Sequence, residues 1–233
     1  MEQTVIDAHS LSKIYDEKTI PVYALHDVHL HITRGEFIAI KGPSGSGKTT
    51  LLNMIGGLDF PSKGFVEING INITELKGKK LIEFRLNNIG FVFQSFNLIP
   101  VLTASENVGF IMFLQNRSKQ ETELRVKELL HQVGLEDKAD KRPGELSGGQ
   151  QQRIAVARAL APKPQFILAD EPTANLDSKS AENLLDMMLK LNKEENMTFI
   201  FSTHDQRVID KARRVITLED GKIVSDTLPQ KVS

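Results

Sequence analysis

Four short apolar runs constrain the fold of this chain more than any other feature. Phe37-Ile38-Ala39-Ile40, Ile89-Gly90-Phe91-Val92-Phe93, Phe166-Ile167-Leu168-Ala169 and Thr198-Phe199-Ile200-Phe201 are almost continuously apolar. Strands of that kind are buried on both faces, as in a parallel sheet covered by helices. Each run stops at residues able to do chemistry. The first enters a glycine-rich loop, the second reaches Gln94, the third Asp170 and Glu171, and the fourth Ser202-Thr203-His204. Open α/β sheets bind ligands at the carboxyl ends of their strands, so these groups can converge on one crevice.

The loop after the first run is Gly42-Pro43-Ser44-Gly45-Ser46-Gly47-Lys48-Thr49, followed by Thr50. It matches the phosphate-binding loop in full and lies between a strand and a helix, the context that motif requires. Its N–H groups would hold phosphates, Lys48 would neutralise β/γ oxygens, and Thr49 would give a hydroxyl to Mg²⁺. Asp170 suits a Mg²⁺ ligand acting through water. Glu171 suits the group that orients or deprotonates the attacking water. Gln94 could sense the metal or that water, and His204 could bond the γ-phosphate or hold the water. Alone, each would read as an ordinary polar residue; their shared placement at strand ends favours function. Tyr15, after an upstream strand, could stack on a base or simply pack at the rim.

A second glycine signal lies far downstream. In Leu146-Ser147-Gly148-Gly149-Gln150, Ser-Gly-Gly opens a helix that continues through residue 160. Free N–H groups and the positive dipole end make such a terminus an anion site. Two phosphate cradles in one small domain suggest that each nucleotide is gripped twice, by two copies of the chain.

The remaining segments frame these motifs. Residues 5–11 and 28–32 read as strands, the second alternating apolar positions with His29 and His31. Residues 65–73 read as a hairpin turning at Asn69-Gly70, and residues 215–224 as another turning at Asp220-Gly221. Residues 95–160 read as a helical insert carrying the Ser-Gly-Gly motif. Within it Ser118-Lys119-Gln120-Glu121 fits a capping box. Asp177-Ser178 opens a further helix with Leu184, Leu185, Met188 and Leu191 on one face.

Composition excludes several classes. The chain has 233 residues, enough for one domain with a buried core, here 1–233, with 1–94 and 161–233 as the α/β part. A net charge of −1 gives no electrostatic case for nucleic acid. The absence of cysteine excludes disulfides and thiolate metal sites and suits a cytosolic protein. Met1-Glu2-Gln3-Thr4 lacks the basic start of a signal peptide. The apolar run at residues 110–114 is far below the roughly 20 residues that span a bilayer, so any membrane role needs a partner chain. His29 and His31 could ligate a metal as an H-x-H pair, but the polar face of a strand explains them more simply.

With these motifs in this order, the chain resembles the ATP-binding subunit of ABC transporters over nearly its whole length. That resemblance implies a phosphate-loop NTPase (RecA-like) α/β core with an antiparallel β subdomain and a helical insert. It makes Gln94 the Q-loop, Ala174-Asn175-Leu176-Asp177 the D-loop, His204 the switch histidine and Tyr15 the adenine-stacking aromatic. It also implies ATP and Mg²⁺, and a head-to-tail homodimer. Each nucleotide would lie between the phosphate loop of one copy and Ser147, Gly148, Gly149 and Gln150 of the other, with Asp177 at the same interface. A separately encoded permease would hold the dimer at the inner face of the cell membrane, touching it near residues 96–107. Residues 91–100, 102–103, 106–108, 23–25 and 56–59 are similar to the MacB and lipoprotein-releasing (LolD-like) branch, here as a stand-alone ATPase. An FtsE-like ATPase gating an envelope process is the alternative within that branch.

Overall fold

The structure, a computed structural model, describes residues 3–16 and 20–227, so Met1 and Glu2 of the start considered above lie outside the described residues. In chain order the elements are β1 (Thr4–Tyr15), β2 (Val22–Thr33), β3 (Phe37–Lys41), α1 (Lys48–Ile55), β4 (Lys63–Ile68), β5 (Ile71–Asn72), α2 (Lys79–Asn88) and β6 (Ile89–Val92). Then follow α3 (Ala104–Leu114), α4 (Lys119–Gln132), α5 (Gly148–Leu160), β7 (Phe166–Asp170), α6 (Ser178–Glu195), β8 (Thr198–Ser202), α7 (Gln206–Lys211), β9 (Arg214–Glu219) and β10 (Lys222–Thr227).

The four apolar runs are β3, β6, β7 and β8, neighbours in one sheet of order β10-β9-β3-β8-β7-β6. All of its pairings are parallel except β10 on β9. The pleat sends alternate side chains into two different cores. Ile38, Ile40, Ile200 and Leu168 face α1 and the second sheet. Phe37, Phe199, Phe201, Ile167 and Ala169 face the helical side. There the rings of Phe37 and Phe201 lie 4.7 Å apart at 50°, a tilted pair. Leu129 and Leu130 of α4, Ile154 and Val156 of α5, and Leu184 and Met188 of α6 complete that core. The helical stretch therefore packs on the sheet through continuous buried side chains.

The second sheet is antiparallel, in the order β2-β1-β4-β5. Its outer face carries the exposed His29 and His31, while Val28, Leu30 and Ile32 are buried. β1 and β2 run well past residues 11 and 28. Ser10 and Asp27 take positive φ (48° and 47°), and the pairing shifts register there and continues to Tyr15 and Val22. The turn at Asn69-Gly70 has φ of 49° and 75°, the primed geometry expected of a tight hairpin. Ile73 leaves the strand for a short 3₁₀ turn capped by Asn72. At the start of α4 only half of the capping box forms. Ser118 accepts from the Glu121 N–H, but the Glu121 carboxylate takes Arg117 instead. A complete box begins α3, between Thr103 and Glu106. Among the described residues, no helix is long and apolar enough to cross a membrane.

Candidate functional site

The carboxyl ends of β3, β7 and β8 meet at a cleft of about 610 Å³, within the range of small-ligand sites. The phosphate loop forms its floor. Gly42 and Gly47 are required by close approach. A Cβ on Gly42 would stand 2.0 Å from the Leu218 carbonyl oxygen, and one on Gly47 would stand 2.3 Å from the Ala24 oxygen. Gly47 is also the left-handed residue (φ 101°) from which α1 starts without a side-chain cap. The C-terminal hairpin supports the loop from behind, where the Gly221 N–H donates to the Ser46 carbonyl at 3.0 Å.

Lys48 folds back on the loop and donates to the Gly42 and Pro43 carbonyls, both at 2.9 Å. Its ammonium therefore stands where phosphate oxygens would replace the carbonyls. The Thr49 hydroxyl donates to the Asp170 carboxylate at 3.2 Å and 3.4 Å. Those groups form a hard oxygen pair, the donor type that Mg²⁺ takes from a protein while keeping waters and phosphate oxygens. No cluster of three or more His, Cys, Asp or Glu suited to a metal occurs among the described residues. The Ser202 hydroxyl on the cleft wall is buried without a partner, as is that of Ser46 in the loop. The Ser202 hydroxyl, which lines the cleft, fits a site completed by a polar ligand.

Glu171 follows β7 with a left-handed φ of 45°. Its N–H is fixed on the Ser202 carbonyl at 2.9 Å. One carboxylate oxygen accepts from the Thr203 hydroxyl at 3.1 Å and the other pairs with His204 Nδ1 at 2.7 Å. The carboxylate is mostly enclosed (16% exposed) whereas the His204 ring is open to the cleft (77%). Gln94 reaches the same cleft from the end of β6. Thus Gly42, Pro43, Ser44, Gly45, Gly47, Lys48, Thr49, Thr50, Gln94, Glu171 and His204 come together. Asp170 lies directly behind Thr49.

Tyr15 does not line this cleft. Its hydroxyl donates to Asp59 at 2.8 Å and Lys13 lies 4.8 Å from its ring centroid. Burial, then the Asp59 carboxylate, pushes its phenol pKa up. The upper wall is built by Val22, Tyr23 and Ala24, with Tyr23 stacked on His26 at 5.1 Å.

Ser147, Gly148, Gly149, Gln150 and Asp177 also lie outside the cleft. They form one patch of their own. Ser147 accepts from the Gln150 N–H, and Gln150 Oε1 accepts from the Ser147 N–H. That box uses two donors at the start of α5 and leaves the Gly148 and Gly149 N–H groups free of bonds within the described residues. Asp177 caps α6 by accepting from Ser180 N–H at 2.9 Å; the Ser180 hydroxyl first, and then this N–H, lower its pKa. A Cβ on Gly149 would meet the Ser180 side chain at 2.9 Å, which places the two helix starts side by side.

Several polar side chains here have partners that no local pattern in the sequence marks. Thr203 holds Glu171. Asn175 donates to the Gln94 carbonyl at 2.9 Å. Arg158 of α5 donates to the carbonyls of Phe96 and Asn97, both at positive φ, and its burial lowers its pKa. Each sits in a helix or loop where a solvated side chain is the default expectation, so only the tertiary structure reveals its partner. A larger apolar cavity, about 1200 Å³, lies between α3 and α4 and shares no residue with the cleft; chemistry, not size, identifies the site.

The family model for ABC transporter matches residues 25–174, from the end of the upper wall through the phosphate loop and Glu171. The chain belongs to the ABC transporter family. It is of the family's ATP-binding, ATP-hydrolysing type. It is 46% identical to an ABC transporter ATP-binding protein of Thermotoga maritima over 94% of this chain and 93% of that one. It is 41% identical to the lipoprotein-releasing system ATP-binding protein LolD of Legionella pneumophila, over 96% and 98%. The macrolide export ATP-binding/permease protein MacB of Aggregatibacter actinomycetemcomitans is 42% identical over 98% of this chain, which spans 35% of that longer protein. Among solved structures, the dimeric post-hydrolysis state of the ATP-binding cassette MJ0796, bound to ADP and Pi, superposes with a TM-score of 0.87. It is 44% identical, covering 96% of this chain and 98% of that one. MJ0796 is from Methanocaldococcus jannaschii.

Proposed function

We propose that two copies of this chain close head to tail on two ATP molecules, and that hydrolysis reopens them to drive a membrane permease. The observation that carries this reading is the separation of the two glycine-rich helix starts. The phosphate loop faces a cleft with its base and histidine, while Gly148 and Gly149 offer free N–H groups outside it. The donors at α5 have no anion to serve within their own chain, so a second copy supplies one. The dimeric form of the similar MJ0796 cassette supports the same arrangement.

Each residue then has a task. The loop N–H groups and Lys48 hold the phosphates, and Thr50 borders them. Thr49 and Asp170 would hold Mg²⁺, which would neutralise developing charge on the phosphate oxygens. Glu171 accepts the proton of the attacking water at a carboxylate oxygen already oriented by Thr203 and His204. His204 and Gln94, both accessible in the cleft, contact the terminal phosphate and the water. Tyr15 reaches the base only if its contact with Asp59 yields; Tyr23 already borders the cleft. Residues 95–160 act as the helical subdomain that presents Ser147, Gly148, Gly149 and Gln150 to the partner, and Asp177 lines the same contact. Similarity to LolD and MacB supports an envelope-coupled permease, which would keep the ATPase peripheral on the cytoplasmic side.

The test is the solution mass of the Glu171→Gln variant by light scattering, with and without ATP. Dimer appearing only with ATP is expected, with turnover falling by at least ~10²-fold. A monomer under both conditions despite bound ATP, or undiminished turnover, overturns the closure or the role of Glu171.

A further inference from the structure

We infer that Gln152, inside α5, is a positioning residue that ties the base and the Q-loop of one nucleotide site to the cradle serving the other. The inference rests on the dimer reading above.

Gln152 is fully buried in a helix whose start carries Ser147, Gly148 and Gly149. Its Nε2 donates to the Pro172 carbonyl at 2.9 Å and, more weakly, to the Phe93 carbonyl at 3.4 Å. Pro172 directly follows Glu171, and Phe93 directly precedes Gln94. One amide thus bonds the backbone next to both groups that address the attacking water. The reverse amide orientation is excluded, because Oε1 would then face two carbonyl oxygens.

A second observation marks the residue. Gln152 Oε1 is buried with no hydrogen-bond partner. Such orphans are rare in folded interiors and call for an explanation. Helix packing alone would be served by an apolar side chain of similar size. The amide is explained by its donor, which spans two loops arriving from different strands. Any shift of Gln94 or Glu171 on phosphate contact must pull on α5 through this bond. Displacement of the α5 start must pull back on them equally, since coupling is reciprocal.

The experiment compares steady-state ATP turnover and ADP affinity, by equilibrium dialysis, for the full chain and for Gln152→Leu and Gln152→Asn. Leucine removes the donor, and asparagine keeps it on a stem too short to span both carbonyls. The expected result is a kcat lower by about tenfold in Gln152→Leu, with a smaller loss in Gln152→Asn, while KM and ADP affinity stay within about twofold. Two results overturn the inference: kcat unchanged in both variants, or kcat and ADP affinity falling together with the folded fraction. If leucine prevents folding, asparagine decides by the same criteria. Failure of the dimer reading would show separately, in Glu171→Gln that does not dimerise with ATP.

Discussion

Two helices in this protein start from glycine-rich turns, and they start differently. α1 leaves a left-handed Gly47 with no side-chain cap, and its open N–H groups face a cleft holding Lys48, Glu171 and His204. α5 leaves Ser147 in a reciprocal capping box with Gln150, and its free donors face no counter-group of the same chain. The first is a site complete enough to bind. The second is stiffened in advance, and on the proposed dimer reading its anion comes from the partner copy. A helix start can therefore be tuned for binding by leaving it uncapped, or for presentation by capping it and leaving two amides over.

Substitutions at each start sharpen this contrast. Ser147→Arg should reduce turnover by about 10²-fold, as removal of an oriented phosphate-stabilising donor does, while leaving binding of the first nucleotide intact. Turnover assays beside ADP dialysis read both, and normal turnover would erase the difference between the two starts. Lys48→Ala should act on the other side, weakening ADP binding itself by about ten- to a hundredfold. Equal affinity would show that the loop amides alone hold the phosphates.

Away from both starts, Asp205 ties the loop after Glu171 to α7. It accepts from Thr173 at 2.7 Å and from Arg207, and Arg207 foremost lowers its pKa to about 2. With the folded value below the unfolded one, its contribution is complete above about pH 4 and disappears as pH falls toward 2. Asp205→Asn should destabilise by about 1 kcal/mol near neutrality, after allowance for the group's partial exposure. The gap in Tm between the two proteins should narrow on acidification; a gap independent of pH would remove the ion pair as its cause. His29→Ala, on the open face of the second sheet, should change stability by less than about 0.5 kcal/mol and leave turnover unchanged. Lost turnover would reinstate a metal role for that face.

Much of this was legible in the residues, and for physical reasons. A strand buried on both faces has no choice of side chain, so β3, β6, β7 and β8 stand out. A loop whose backbone must touch phosphate needs glycine, so residues 42–49 stand out as well. Strand order was not legible, because parallel pairing is settled by crossovers that leave no local mark. Nor were the partners of Thr203, Asn175, Arg158 and Gln152. Each of these residues spends its polar group on a carbonyl or carboxylate distant in sequence, and a polar residue in a helix or loop looks alike whether it meets water or a buried group. Ser118 shows the reverse error, since a correct local pattern lost half of its bonds to a neighbouring arginine.

The hairpin behind the phosphate loop ties nucleotide binding to the order of synthesis. The Leu218 carbonyl lies against Gly42 and Gly221 holds Ser46, yet both are made long after the loop they support. A chain still emerging from the ribosome carries the whole motif without its backing, and acquires that backing only when β9 and β10 fold into place.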